Sequence, residues 1–255
     1  YGIMISIIGT IWLVKMANQV AAFWALFSIL FYVFIYTIWL KRSSTQNIVI
    51  GGIAGSTPPV IGWCAAEGDL EISISTFREF INSIFEIGGY MPWFMFLLIF
   101  LWTPPHFWAL ALYRSEEYEK VGVPMLPNVK GKKRTLVEMK IYAIILILLS
   151  LTAPLSYQNI DSWNEINFNI NNSLIILNTM SLSIWYGLTV WKIDVMEEYD
   201  ENDRMPSASH SFFISLSYLA FMFIALVLSS IGFEGSLISL MIIVILISRN
   251  MKSKK

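Results

Sequence analysis

Soft ligands and nucleophiles are scarce in this chain. Its 255 residues include one cysteine and two histidines, so no disulfide can close within the chain and no zinc-type Cys/His cluster can form. The cysteine, Cys64, lies in an apolar run and reads as a small core residue. Charge is scarce too. Only 14% of residues are charged and the formal net charge is −1, which leaves no basic patch for nucleic acid. Glycine clusters once, in GGIAGS, but inside an apolar run and after no strand, so it is no nucleotide fingerprint. Nothing resembles a Ser/His/Asp or Cys/His nucleophile arrangement. A signal or transit pattern is also missing, and the chain starts at Tyr1 inside an apolar segment; it reads as an N-terminally truncated piece of a longer protein.

What is present is apolar surface. Hydrophobic residues make up 56% of the chain and the mean hydropathy is +0.62, beyond what an ordinary soluble domain carries. The apolar residues fall in about eight segments: 1–14, 20–40, 47–66, 90–112, 140–157, 173–191, 210–230 and 236–248. Most approach the roughly 20 residues that a bilayer-crossing helix needs. The fold class that follows is all-α, a polytopic transmembrane helix bundle. The first segment is the remainder of a span, and the last is short enough to span or to lie in the interface. In the third, Gly51, Gly52, Gly55 and Ser56 allow close helix approach, while Pro58 and Pro59 must break or kink it, which lipid tolerates only against protein or a polar cavity. Residues 67–89 form a connector whose portion 76–88 has helical spacing of apolar residues, suited to lying along the surface.

Alternating the segments sorts the connectors onto two sides. All of the seventeen Lys and Arg except Lys15 and Arg78 fall on one side, with the loops 41–46, 113–139 and 192–208 and the C-terminal tail. Basic residues accumulate in cytoplasmic loops, so that side is the cytoplasmic one, or the matrix side in a mitochondrion.

Three stretches carry a family likeness: YTIWLKRSSTQNIVIGGIAGSTPPVIGW at 36–63, FLWTPPHFWALALYRSEEYEKVGVPMLP at 100–127 and SFFISLSYLAFMFIALVL at 211–228. They resemble the UbiA-type intramembrane prenyltransferases, and among these the protoheme IX farnesyltransferase (heme O synthase) branch. The likeness runs from about residue 3 to residue 230, leaving 231–255 as an extra apolar segment with a basic tail. It implies a bundle of nine spans around a cavity open sideways to lipid, in a bacterial inner membrane or a mitochondrial inner membrane. It implies transfer of the farnesyl group of farnesyl diphosphate to a vinyl group of heme B, giving heme O and diphosphate, with heme B a substrate rather than a cofactor. Magnesium would be held by two acidic motifs on cytoplasmic loops, and heme A synthase or terminal oxidase assembly machinery would be partners. The first acidic motif would precede Tyr1. The second falls at Glu117, where the family usually carries aspartate. A prenyltransferase for an aromatic or quinone acceptor, or a non-catalytic heme-handling assembly factor, remains the alternative.

The chemistry needs a neutralised diphosphate, a sheltered allylic cation and a carbon nucleophile held nearby. Glu116 and Glu117, just beyond the end of a span, suit magnesium, which binds few carboxylates and keeps its waters. Lys41, Arg42, Arg114 and Lys120 can grip phosphate oxygens, or anchor span ends as basic residues commonly do. Asn47 either binds phosphate or caps the helix that follows. Tyr113 and Tyr118 either face an allylic cation with their rings or belong to an interfacial belt. His106, about two turns inside a span, is a functional candidate because an ionisable group at that depth is costly. It contacts heme or orients a reacting group, or it only satisfies a carbonyl freed by Pro104 or Pro105.

Overall fold

The structure, a computed structural model, describes all residues except Asp69, Val121, 158–169, 202–203 and 253–255; the side chains of Glu116, Glu119, Lys120, Met251 and Lys252 also lie outside the described part. Among the described residues the chain forms only helices and connecting turns. In order these are α1 (Gly2–Met16), α2 (Gln19–Leu30), which continues as a π-helical stretch (Phe31–Leu40), α3 (Asn47–Gly55), α4 (Pro58–Ala66), α5 (Phe77–Phe85) and α6 (Met91–Tyr113). After them come α7 (Ser115–Lys120), α8 (Leu126–Lys130), α9 (Lys132–Ser150), a 3₁₀ turn (Ala153–Tyr157), α10 (Ile170–Trp191), α11 (Pro206–Ser229) and α12 (Phe233–Lys252).

Six of these stretches are long and apolar enough to cross a membrane: Gln19–Leu40, Asn47–Ala66, Met91–Tyr113, Ile170–Trp191, Pro206–Ser229 and Phe233–Asn250. The protein is an all-α polytopic membrane protein. The short terminal segment of the sequence thus extends to a full 20-residue helix. α1 and α9 supply the remaining two apolar segments, α9 opening on the cluster Lys132, Lys133 and Arg134. The expected break in the third segment lies at Ser56–Thr57, where α3 ends and Pro58 starts α4. Proline is well placed there, because the first residues of a helix have no intrahelical use for an N–H.

The chain packs as two units, Tyr1–Phe100 and Leu101–Lys255, the masked residues apart. In the first, Asn18 sets the start of α2. Its Oδ1 accepts from Ala21 N–H at 2.8 Å, and its Nδ2 donates to the carbonyls of Cys64, in the last turn of α4, and of Gly68, just beyond that helix. One side chain therefore caps one helix and ties down the other. Val20, Ala21 and Trp24 of α2 pack with Val60 and Cys64 of α4, which makes Cys64 a core residue as its apolar surroundings suggest. The amphipathic portion of the 67–89 connector forms α5. Thr76 Oγ1 accepts from Glu79 N–H at 3.1 Å, one half of the Thr-x-x-Glu capping pattern, and Trp24 Nε1 donates to Ile84 O at 3.0 Å to dock the helix.

The π-helical stretch ends with Lys41 N–H bonded to Tyr36 O at 2.8 Å, five residues back. Gly51 on α3 faces the Tyr36 ring so closely that a Cβ there would lie 2.3 Å from Tyr36 Cδ2. This is the close approach that a glycine-bearing span permits.

In the second unit, α9, α10, α11 and α12 are joined by a seam of small polar residues. Ser150 and Ser183 hydroxyls lie 2.6 Å apart, Ser183 meets the Tyr218 hydroxyl at 3.2 Å, and Asn178 Nδ2 donates to Ser236 O at 2.9 Å. Between helices in lipid there is little hydrophobic difference to exploit, so close packing and such bonds carry the association. Gly131, at φ +84°, separates α8 from α9 and takes a backbone conformation that side chains disfavour.

Candidate functional site

α6 carries His106 along its length and releases Tyr113 and Arg114 at its end, with the one-and-a-half-turn α7 following at once. Its two internal prolines, Pro104 and Pro105, do not terminate it. His106 is 6% exposed. Its ring lies between Trp102, at 4.2 Å between centroids and 19° between planes, and Phe212 of α11, at 4.7 Å and 22°. Nδ1 is 2.6 Å from the Ser215 hydroxyl oxygen, so its partner is a side chain on another helix rather than a carbonyl released by the neighbouring prolines. Ser215 Oγ also donates to Phe212 O at 2.6 Å. A hydroxyl has one proton, so with Ser215 donating to Phe212 O, Nδ1 is assigned as the donor towards Ser215, and in the neutral imidazole Nε2 then carries the lone pair. Trp102 Nε1 donates to Ser215 O at 3.0 Å, which fixes the same turn of α11 a second time.

Beyond Phe212 a cavity of about 480 Å³ opens at the end of α6, lined by Leu110, Tyr113, Arg114, Glu117, Tyr118, Phe212 and Phe213. Its walls are aromatic and its polar groups converge from one loop. Arg114 and Glu117 form an ion pair at 3.1 Å with side chains 42% and 58% exposed. Such a pair contributes roughly 0–1 kcal/mol, so a ligand that wanted either partner could separate them at little cost. Arg114 also has a buried Nε without a hydrogen-bond partner. Burial holds the Tyr118 phenol above its ordinary pKa; the Arg114 charge acts against this and the Glu117 charge with it.

Arg204 is the residue that the sequence did not single out. It is the lone cation in the acidic run that follows α10, and its place two residues before α11 resembles ordinary anchoring. In the structure its Nη1 donates to the Tyr113 hydroxyl at 3.0 Å, and its guanidinium lies 5.4 Å from the Tyr113 ring centre, with the Arg114 guanidinium at 5.6 Å. The loop holds it there by reciprocal bonds, Arg204 N–H to Asp200 Oδ1 at 3.0 Å and Asp200 N–H to Arg204 O at 2.9 Å. The fully buried Met205 follows. Two guanidinium groups thus approach one tyrosine whose ring lines the cavity; Arg114 lines the cavity as well, and Arg204 reaches it through the Tyr113 hydroxyl.

The other sequence candidates divide. Lys41, Arg42 and Asn47 lie in the first unit, at the turn between the π-helical stretch and α3. Asn47 is not the cap of α3. It is the first helical residue, is 1% exposed, and its Nδ2 braces the turn by donating to Lys41 O at 3.1 Å. Lys41 is partly exposed and Arg42 exposed. The Glu116 and Lys120 side chains lie outside the described residues. Among the described residues no three His, Cys, Asp or Glu side chains cluster as a ready-made metal site. Glu117 alone still suits magnesium chemically, since that ion takes one or two carboxylates and completes its shell with water and phosphate oxygens.

The model of the UbiA prenyltransferase family matches residues 1–164. The chain belongs to the UbiA prenyltransferase family. Three similar curated relatives are each named protoheme IX farnesyltransferase. The one from Bartonella tribocorum is 36% identical over 91% of this chain and 64% of its own length. The one from Parvibaculum lavamentivorans is 46% identical over 59% and 42%, and the one from Ruegeria pomeroyi is 37% identical over 86% and 59%. The chain therefore spans less than two thirds of each of these proteins. No solved structure matches it. With six helices able to cross a bilayer and bacterial relatives of this kind, this UbiA-family chain is an integral inner-membrane protein.

Proposed function

We propose that this chain carries the second half of the catalytic site of a heme-farnesylating prenyltransferase, which transfers farnesyl from farnesyl diphosphate to a vinyl group of heme B and yields heme O and diphosphate. The observation that carries the reading is the juxtaposition of a diphosphate-type grip, Arg114 and Arg204 with Glu117, and an aromatic wall that runs from Tyr113 through Phe212 to His106. The names of the similar relatives support the acceptor and the donor.

In the reaction the C–O bond of the allylic diphosphate breaks and the diphosphate leaves with the electron pair. The vinyl π electrons form the new C–C bond, water adds to the cation left on the former vinyl group, and that water loses a proton. Arg114 and Arg204 bind and orient the leaving diphosphate, whose charge grows in the transition state, which is where fixed cations act most strongly. Glu117 would hold magnesium on this side, together with the first acidic motif that the family resemblance implies, and the ion would supply charge neutralisation of the diphosphate. The Tyr113 and Phe212 faces shelter the allylic cation through their ring quadrupoles and exclude water from it. His106 holds the acceptor. Nδ1–H bonded to Ser215 with the lone pair on Nε2 is the arrangement that metal-ligating histidines adopt, and heme iron is the matching acid. Tyr118, Glu116 and Lys120 remain diphosphate or metal candidates in this scheme, and Lys41, Arg42 and Asn47, in the first unit, remain diphosphate candidates on the family resemblance alone.

The full-length protein incubated with heme B, farnesyl diphosphate and magnesium should form heme O, detected by mass spectrometry, and Glu117→Gln should lower the rate by about 100-fold, as loss of a charge-stabilising group does. Prenylation of a quinone precursor with no heme O would sink the acceptor assignment. Heme binding without any transfer would favour the heme-handling alternative.

A further inference from the structure

A second cavity, of about 360 Å³, lies where α10, α11 and α12 meet in the second unit, and it shares no lining residue with the cavity of the proposed active site. Its volume is within the range of small-molecule sites, roughly 300–1,000 Å³. α10 contributes Ser181, Trp185 and Leu188, and Lys192 follows its end; the spacings of four, three and four put them along one helix face over about 16 Å. The middle of that strip is apolar: Ile184, Trp185 and Leu188, with Ile247 of α12 opposite. Ile184 is 42% and Leu188 53% exposed, so the groove is open along its side, and for helices that cross a bilayer that side is lipid. Apart from Ser181, its polar groups gather at one end. Lys192 directly follows the last residue of α10, His210 lies near the start of α11, and Asn250 lies near the end of α12. All three lie at or near helix ends, next to the connectors that the charge asymmetry of the sequence assigns to the basic side.

We propose that this groove binds an anionic phospholipid of the cytoplasmic leaflet, with the phosphate at Lys192, His210 and Asn250 and one acyl chain along Trp185 and Leu188. An amphiphile with a charged head and a long tail matches the groove end for end. The lining favours a phosphodiester over the prenyl substrate. One lysine suits one negative charge, whereas a diphosphate needs more cations or a carboxylate-held metal, and no carboxylate is found among the described lining residues.

Trp185 makes the site readable by fluorescence. The full-length protein would be reconstituted in phosphatidylcholine vesicles containing either brominated phosphatidylglycerol or brominated phosphatidylcholine. Subtracting the signal of Trp185→Phe isolates the emission of Trp185. Brominated phosphatidylglycerol is expected to quench that emission at about fivefold lower mole fraction than the zwitterionic lipid, the weight of one juxtamembrane cation. Lys192→Gln should abolish the preference. Asn250→Leu, on a different helix, should reduce it, which keeps the test decisive should either variant fold poorly. Arg134→Gln, an exposed cation paired with Glu138 on the same membrane side, should leave it intact. Equal quenching by the two lipids, or a preference that survives in both Lys192→Gln and Asn250→Leu, would overturn the proposal. So would recovery of Trp185 emission on adding farnesyl diphosphate, which would assign the groove to that soluble amphiphile.

Discussion

Arg204 is held before any substrate arrives. Its backbone is clamped by Asp200, its side chain bonds the Tyr113 hydroxyl, and the Arg114 guanidinium lies across the same ring. If it grips the diphosphate, Arg204→Gln should raise KM for the prenyl diphosphate by about 10- to 100-fold, since hydrogen bonds to charged groups contribute about 1.5–3 kcal/mol. Tyr113→Phe removes only the hydroxyl that orients Arg204, so a smaller change in the same direction is expected from steady-state kinetics. An unchanged KM in Arg204→Gln would return that residue to simple anchoring. The Arg114–Glu117 pair makes the opposite kind of prediction. Because both side chains are well exposed, a double-mutant cycle on thermal stability should find a coupling below about 1 kcal/mol, while each single neutral variant loses activity. Ser215→Ala should separate orientation from folding. It removes the acceptor that fixes the His106 tautomer, so the Soret shift on heme binding should weaken while the melting transition falls by only the ~1 kcal/mol of a lost hydrogen bond. A full heme-induced shift in that variant would remove His106 from the role of heme holder.

At the scale of the elements, the apolar period and the proline pair were legible before any coordinates. The break at Ser56–Thr57 follows from Pro58, and α5 follows from the spacing of its apolar residues, while its Thr76-to-Glu79 cap came only with the structure. The π-helical stretch was not legible, because a one-residue widening of the helical turn leaves no mark on composition. Nor was Arg204, since a lone cation between a carboxylate-rich loop and a span looks the same whether it anchors or binds. Asn47 was misread towards capping for a similar reason: a cap and a brace need the same side chain, and only the partner tells them apart. The Tyr36–Gly51 contact gives this scale its own test. Gly51→Ala places a Cβ 2.3 Å from Tyr36 Cδ2, so it should destabilise the packing of α3 on the π-helical stretch by about 1–3 kcal/mol. Gly62→Ala, with nothing within 4 Å of the added carbon, should be neutral or stabilising by up to about 1 kcal/mol through helix propensity. Thermal melting in detergent would compare the two directly, and equal effects would contradict the close contact.

For the molecule as a whole, the claim that matters is sidedness, because a diphosphate site must face the compartment where its substrate is made. The charge asymmetry of the sequence, with α9 counted as a span beside the six stretches able to cross a membrane, leads to the expectation that the turn after Leu40, the loop of α7 and α8 and the Arg204 loop face the cytoplasm, and the α5 connector and the α11–α12 turn the other side. The scarcity of cysteine makes this measurable. Cys64 is the only one in the sequence and is fully buried, so the background from a membrane-impermeant maleimide should be low. Four exposed positions report on the two sides: Ser43 and Asn128 on the basic side, Ser75 and Ser230 on the other. Ser75→Cys and Ser230→Cys should label in right-side-out vesicles, and Ser43→Cys and Asn128→Cys only after the vesicles are inverted or opened. Labelling of Asn128→Cys from outside would place Arg114, Glu117 and Arg204 away from the cytoplasm, and the proposed diphosphate site could not then meet a cytoplasmic substrate.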